Sequence, residues 1–84
     1  MMTKDEISAR IIDLVERHNP KGLTILLETD LTEELEIDSV AAMDLVMEIE
    51  EEFDLNIPVN EVADLRTVGD LVELVARELR GREP

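Results

Sequence analysis

The chain has 84 residues, enough for one small domain, with 22 acidic and eight basic side chains and a net charge of −14. A protein needs Lys and Arg to bind nucleic acid or anionic membranes, so this negative charge argues against both partners. It favours binding to basic protein surfaces. The lack of cysteine excludes disulfides and thiol chemistry. No apolar run reaches the roughly 18 residues of a membrane span, and no signal peptide precedes the first helix, so we expect a cytoplasmic protein.

The first predicted helix covers about residues 4–18. Thr3 and Glu6 have the spacing of a capping box, and apolar residues recur at helical spacing: Ile7, Ile11, Leu14 and Val15. The stretch 19–22, with its Pro and Gly, should end the helix. His18, the only histidine, is expected to be solvent-exposed at the C-terminal end of this helix.

Residues 19–38 form a connection longer than most loops in compact domains. It carries apolar residues that should anchor it across the bundle: Leu23, Ile25, Leu26, Leu27, Leu31 and Leu35. A strand at 23–27 would have no second β-patterned segment to pair with, so we predict no sheet.

The second predicted helix covers about residues 39–53, and Asp38 can cap it. Its core stripe lies at i, i+4 and i+8: Leu45, Ile49 and Phe53. A second apolar row extends this face to one side: Val40, Met43 and Met47. Four carboxylates share the opposite arc: Asp44, Glu48, Glu51 and Glu52, with Glu50 at the border.

Two further helices complete the prediction, a short one at about 59–65 and a longer one at about 68–80, with Thr67 and Asp70 as a cap. The fold class is therefore all-α: a small four-helix bundle of three longer helices and one short helix, with a long loop between the first two. We predict that residues 1–84 form a single domain.

Ser39 stands between the long loop and the acidic helix, where free N–H groups tolerate a phosphodiester. Its position alone favours a simple helix-capping or first-turn role. Nucleophilic catalysis is not expected, because no base or glycine-rich elbow accompanies Ser39 and the three glycines are isolated. A calcium loop at Asp54 is not expected either, because Val59 and Leu65 occupy the positions that need Gly and an acid. We therefore expect no catalytic residues and no metal site.

Four sequence elements together resemble the acyl carrier protein family in order and spacing. They are Leu35–Val40 around the serine, Glu50–Phe53, Ile57-Pro58, and Thr67–Asp70. The resemblance is strongest over residues 35–72. It implies a four-helix bundle that is not itself an enzyme. It also implies that a phosphopantetheinyl transferase attaches 4′-phosphopantetheine from coenzyme A to Ser39, with Asp38 as the adjacent aspartate.

The same resemblance implies further roles for residues of the second helix. Recognition of basic patches on acyl-transferring and acyl-modifying enzymes would fall to Asp44, Glu48, Glu50 and Glu51. The entrance of an acyl pocket would be lined by Val40, Met43 and Met47. The carrier would be a monomer that delivers acyl thioesters to fatty-acid, lipid or polyketide biosynthesis.

Three positions depart from the family pattern. Glu36 replaces a glycine, Val40 replaces a leucine, and Ala41 stands where many fatty-acid carriers have an acid. A dedicated pathway therefore fits as well as a housekeeping one. Two alternatives stay open at this point: an aminoacyl or peptidyl carrier, and an unmodified acidic module that binds basic partners through the second helix.

Overall fold

The computed structural model describes residues 2–81, which form four helices and no strand; an isolated antiparallel bridge joins Asp30 and Thr67. The helices are α1 (Lys4–Glu16), α2 (Ser39–Phe53), α3 (Val59–Val62) and α4 (Val68–Gly81). The predicted all-α bundle of three longer helices and one short helix is thereby confirmed.

The core of the bundle is aliphatic. Helix α1 packs against both α4 and α2. The fully buried positions come from all three long helices, with Ile11 and Val15 on α1, Ile49 on α2 and Val75 on α4. The only aromatic side chain, Phe53, is buried at the end of α2. A core of branched aliphatic residues holds α2 in place, and α2 begins at Ser39, the candidate attachment residue.

Two helices are shorter than predicted, for the same physical reason. The prediction of 4–18 is wrong at its end because the N–H groups of Arg17 and His18 bond carbonyls three residues back, so that α1 closes in a tight turn after Glu16. The prediction of 59–65 is also wrong at its end. After Val62 the N–H groups of the residues at 64 and 65 again bond three residues back.

The long loop is attached to the start of α4 by backbone hydrogen bonds. Leu31 N–H donates to the Arg66 carbonyl at 2.8 Å, and Gly69 N–H donates to the Leu27 carbonyl at 2.7 Å. Leu31 and Leu35 are buried as predicted. The prediction that Leu23, Leu26 and Leu27 anchor the loop is wrong, because all three side chains are exposed.

None of the helices in residues 2–81 has the length and apolar character needed to cross a membrane.

Candidate functional site: the N-terminus of helix α2

Asp38 and Ser39 form the N-terminal end of α2. Asp38 has extended backbone geometry, and its Oδ1 accepts the N–H of Ala41 at 2.9 Å. Its carbonyl accepts the N–H of Ala42 at 2.8 Å. Ser39 is the first helical residue and is exposed. The cap therefore fixes where α2 begins, and the hydroxyl of Ser39 is presented to solvent.

The turn before this cap has a strained backbone, and contacts with neighbouring residues hold it in place. Glu36 has a φ of 54°, the left-handed region that favours glycine. Its carboxylate pairs with the Lys21 ammonium. The next residue, Ile37, is buried, and its N–H donates to the Leu31 carbonyl at 2.9 Å. Glu36 thus adopts the conformation for which the family pattern has a glycine.

The site fits a phosphodiester on the serine. The N–H groups of Ser39 and Val40 belong to the first turn of α2, where a helix has no internal acceptor for them. Both residues are exposed. The partial positive charge of a helix N-terminus favours an anionic group at this position.

The carboxylates predicted for partner recognition fall into two groups. Asp44 and Glu51 are exposed, and within residues 2–81 neither takes part in an ion pair. Glu50 is half-buried, and its Oε2 accepts the N–H of Ile57 at 2.9 Å. The fourth carboxylate, Glu48, faces α1. Of the four, only Asp44 and Glu51 present carboxylates that are not engaged with another residue of 2–81.

His18 is the residue whose role the sequence analysis missed. Its side chain is only 18 % exposed, and Nε2 donates to Oε1 of Glu48 at 2.8 Å. Arg17 approaches the other oxygen of Glu48 at 3.4 Å. The hydrogen bond from His18 is the main cause that holds the pKa of Glu48 below its usual range. The prediction of an exposed histidine is wrong because the tight turn after Glu16 directs this side chain towards α2.

Val40, Met43 and Met47 are exposed, Val40 by 73 %. Their place at the entrance of an acyl pocket stays a prediction. Helix α2 turns Leu45, Val46, Ile49 and Phe53 towards the core, and this leaves the second apolar row on the outer surface.

An apolar cavity of about 60 Å³ lies between α2, α3 and α4. Its lining includes Ala42 and Val46 of α2, Val62 of α3 and Leu71 of α4. At 100° per residue, Ser39 lies within about 60° of both α2 residues around the helix axis. From this spacing, the sequence alone could have identified Ala42 and Val46 as residues that line the cavity.

A larger, more open cleft of about 360 Å³ lies between residues 18–23, residues 34–37 and Ala41 of α2. Its apolar lining comes mainly from Leu23, Leu35, Ile37 and Ala41. The rest of its lining comes from Glu34, Glu36 and the segment that follows α1: His18, Asn19, Pro20 and Lys21.

The net charge is concentrated in one part of the chain. Residues 22–65 contain no Lys or Arg and hold fourteen of the 22 acidic residues. The two flanking segments hold all eight basic residues and the other eight acids, so the whole net charge of −14 lies in the middle segment. This segment includes the loop, α2 and α3. Among residues 2–81, no three His, Asp or Glu side chains are grouped as a metal site.

The chain is a short helical bundle with an exposed serine at the start of an acidic helix. This arrangement indicates a carrier domain, the class of protein that holds a prosthetic group. Comparison with known proteins supports this class directly. Residues 7–75 match the model of the family described as "Phosphopantetheine attachment site".

The chain is similar to named members of one family. It is 41% identical over 76 residues to an acyl carrier protein of Kocuria rhizophila, covering 89% of this chain and 94% of that one. It is 38% identical over 79 residues to an acyl carrier protein of Arthrobacter sp., covering 90% and 95%. The crystal structure of an acyl carrier protein from Thermotoga maritima superposes with a TM-score of 0.80 at 31% identity, covering 95% and 94%. The chain belongs to the acyl carrier protein family, whose cofactor is 4′-phosphopantetheine.

Proposed function

We propose that the Ser39 hydroxyl receives the 4′-phosphopantetheine arm and that the chain, as one carrier domain, carries acyl groups on it as thioesters. The observation that supports this most directly is the exposure of Ser39 at a capped helix N-terminus. In the attachment step, Oγ attacks phosphorus in the diphosphate of coenzyme A and adenosine 3′,5′-bisphosphate leaves. The hydroxyl proton passes to a base on the transferase, since the adjacent carboxylate of Asp38 is engaged with the N–H of Ala41.

Asp38 acts as a positioning residue in this proposal. Its bond to Ala41 N–H fixes the first turn of α2, and it leaves the N–H groups of Ser39 and Val40 available to the phosphate. The arm supplies the thiol that the chain itself lacks, and partner enzymes perform the acyl chemistry.

The apolar cavity between α2, α3 and α4 is the proposed entry point for the acyl chain. At about 60 Å³ it has room for roughly two methylene-sized groups, because a water molecule takes up about 30 Å³. A longer chain requires the cavity to open. Helix α3 is the element best suited to move, because it has four residues, none of them buried, and no side-chain cap.

Docking of acyl-transferring and acyl-modifying enzymes is proposed to involve Asp44 and Glu51, with Val40, Met43 and Met47 as the apolar part of the same surface. These five residues are exposed on α2, and they complement a partner surface that is basic and partly apolar. Glu48 and Glu50 are proposed to shape this surface from within the chain. We propose that the protein works as a monomer in the cytoplasm.

The attachment site is tested by a pair of serine variants. The chain has only two serines, Ser8 and Ser39, so each serves as the control for the other. Incubation with coenzyme A and a phosphopantetheinyl transferase should add the mass of one phosphopantetheinyl group to the wild type and to Ser8→Ala, and nothing to Ser39→Ala. Modification of Ser39→Ala would overturn the proposal.

A further inference from the structure

Three leucines of the loop between α1 and α2 are exposed: Leu23 by 40 %, Leu26 by 50 % and Leu27 by 47 %. We propose that this leucine patch is a docking surface for an acyl-transferring enzyme that presents an apolar surface bordered by Lys and Arg. The choice of partner rests on the proposed function, because it assumes an arm on Ser39. The docking surface itself is defined by the exposed leucines of the loop.

The leucines are exposed on a backbone that is held in place. The side chain of Asn19 bonds both backbone groups of Leu23, donating to its carbonyl at 2.7 Å and accepting its N–H at 3.1 Å. Thr29 bonds Leu26 in the same reciprocal way, with its Oγ1 accepting the Leu26 N–H at 2.8 Å and its own N–H donating to the Leu26 carbonyl at 3.1 Å. The exposure of the patch is therefore built into the folded loop.

Helix α4 holds the third leucine. Gly69 N–H donates to the Leu27 carbonyl at 2.7 Å. A Cβ at position 69 would lie 3.1 Å from that carbonyl oxygen, which is tighter than ordinary van der Waals contact. The glycine thus permits a close approach that fixes the Leu27 backbone while its side chain remains exposed.

The patch is compact and borders the attachment site. Four peptide units separate Leu23 from Leu27, which limits their Cα separation to about 14 Å. Leu23 also lines the 360 Å³ cleft together with Ile37 and Ala41, which flank Ser39 in the chain. A protein bound at the Leu23 end of this patch therefore lies at a cleft that reaches the residues on both sides of Ser39. For this reason the partner is an enzyme that acts on the tethered group.

The charge around the patch selects among possible occupants. The patch lies in the segment 22–65, which has no Lys or Arg and carries the whole net charge. A second copy would bring the same acidic segment against itself, because a two-fold interface joins identical surfaces. An anionic membrane would be repelled as well. The nearest cation before the patch, Lys21, is already paired with Glu36. An apolar partner surface bordered by basic residues satisfies both the leucines and the surrounding charge.

The test compares the double variant L26S/L27S with Ala9→Ser, a polar substitution at an exposed position of α1. Each holo protein is titrated into a purified acyltransferase that moves an acyl group from coenzyme A to the thiol of the arm. The proposal predicts a KM about tenfold or more higher for L26S/L27S with kcat unchanged, and no change for Ala9→Ser. The rate of phosphopantetheine attachment should be the same for both variants. An unchanged KM, or an equal loss in the attachment reaction, would overturn the proposal.

A second measurement separates this proposal from the proposed function. A photo-crosslinking amino acid is placed at position 27 in the Ser39→Ala background, and the same probe at position 9 serves as the control. A crosslink from position 27 to the acyltransferase supports the docking surface even if Ser39 is never modified. Crosslinking between copies of the chain instead, or tight binding to phosphatidylglycerol vesicles, would overturn it.

Discussion

Nε2 of His18 lies 2.8 Å from Oε1 of Glu48, and this contact joins the turn after α1 to α2. The lowered pKa of Glu48 means that its ionised form stabilises the fold. This stabilisation is complete above the ordinary pKa of a glutamate and is lost as the pH falls through the lowered value.

Glu48→Gln should therefore destabilise the protein at neutral pH by about 0.5–1 kcal/mol, as expected for a partly exposed ion pair. The difference in the free energy of unfolding between Glu48→Gln and wild type should vanish below the lowered pKa of Glu48, where the wild-type carboxylate is protonated. Chemical denaturation at several pH values measures it. The control is Asp44→Asn on the same helix, which should change stability little because no ion pair is broken. A Glu48→Gln effect that grows on acidification would contradict the assignment.

The sequence predicted what depends on local spacing. The capping box of Thr3 and Glu6, the cap at Asp38 and the apolar stripe of α1 all follow from residues three or four apart, and the structure contains them. The contact between His18 and Glu48 joins residues 30 positions apart. This contact depends on the tight turn after Glu16, and no pattern of residues close together in the sequence predicts it.

The site was predicted in part for the same reason. The position of Ser39 at a capped helix start could be inferred, because the cap is local. The core stripe of α2 was also predicted from its spacing, and Leu45, Ile49 and Phe53 are buried. The spacing did not show that the second apolar row stays outside: packing of α2 against α1 buries Leu45 and Ile49, while Met43 and Met47 remain exposed.

Asp70 should support the start of α4 in a pH-dependent way. Its Oδ2 accepts the N–H groups of Thr67 and Arg66, each at 3.0 Å, and the Thr67 N–H is the main cause of its lowered pKa. Asp70→Ala should cost about 1 kcal/mol at neutral pH. The cost should shrink as the pH falls through the lowered pKa, because the wild type then loses the ionised cap. Asp64→Ala, at an exposed position, is the control, and equal losses in both variants would argue against a capping role.

Glu36→Gly should stabilise the fold. Glycine removes a left-handed strain of roughly 1–2 kcal/mol, and this outweighs the loss of an exposed pair with Lys21. A gain of about 1 kcal/mol corresponds to a rise in Tm of about 4–8 °C for a domain of this size. Glu36→Ala keeps the strain and loses the pair, so its Tm should fall. The same rise in both variants would show that strain at Glu36 is not the cause.

Gly69→Ala and Gly81→Ala should differ although both glycines lie in α4. Alanine favours a helix by about 0.5–1 kcal/mol relative to glycine. In the part of the chain that the structure describes, no atom beyond its chain neighbours lies within 4 Å of a Cβ added at position 81, whereas at position 69 the Leu27 carbonyl oxygen lies 3.1 Å from it. Gly81→Ala should therefore be neutral or stabilising, and Gly69→Ala should lower Tm. Hydrogen exchange at the amide of residue 69 should also quicken in Gly69→Ala, and slow exchange there would contradict the close contact.

The apolar cavity can be tested by filling it. A loaded acyl chain that enters it should raise the stability of the wild type by about 1–2 kcal/mol, from two sheltered methylene groups. Ala42→Leu occupies the space with its own side chain, so the loaded and unloaded forms should unfold at nearly the same temperature. In the control Ala63→Leu, at an exposed position, the acyl-dependent rise should persist. If loading raised the Tm of Ala42→Leu fully, the chain would bind elsewhere.

The proposed function requires the arm on the Ser39 hydroxyl, and a peptide map tests that directly. Cleavage after Lys and Arg places Ser8 in the peptide 5–10 and Ser39 in the peptide 22–66, because no Lys or Arg lies between 22 and 65. After treatment with coenzyme A and the transferase, mass spectrometry should find one phosphopantetheinyl group on peptide 22–66, with its fragments placing the group on Ser39. An arm on peptide 5–10, or on another residue of peptide 22–66, would contradict the account.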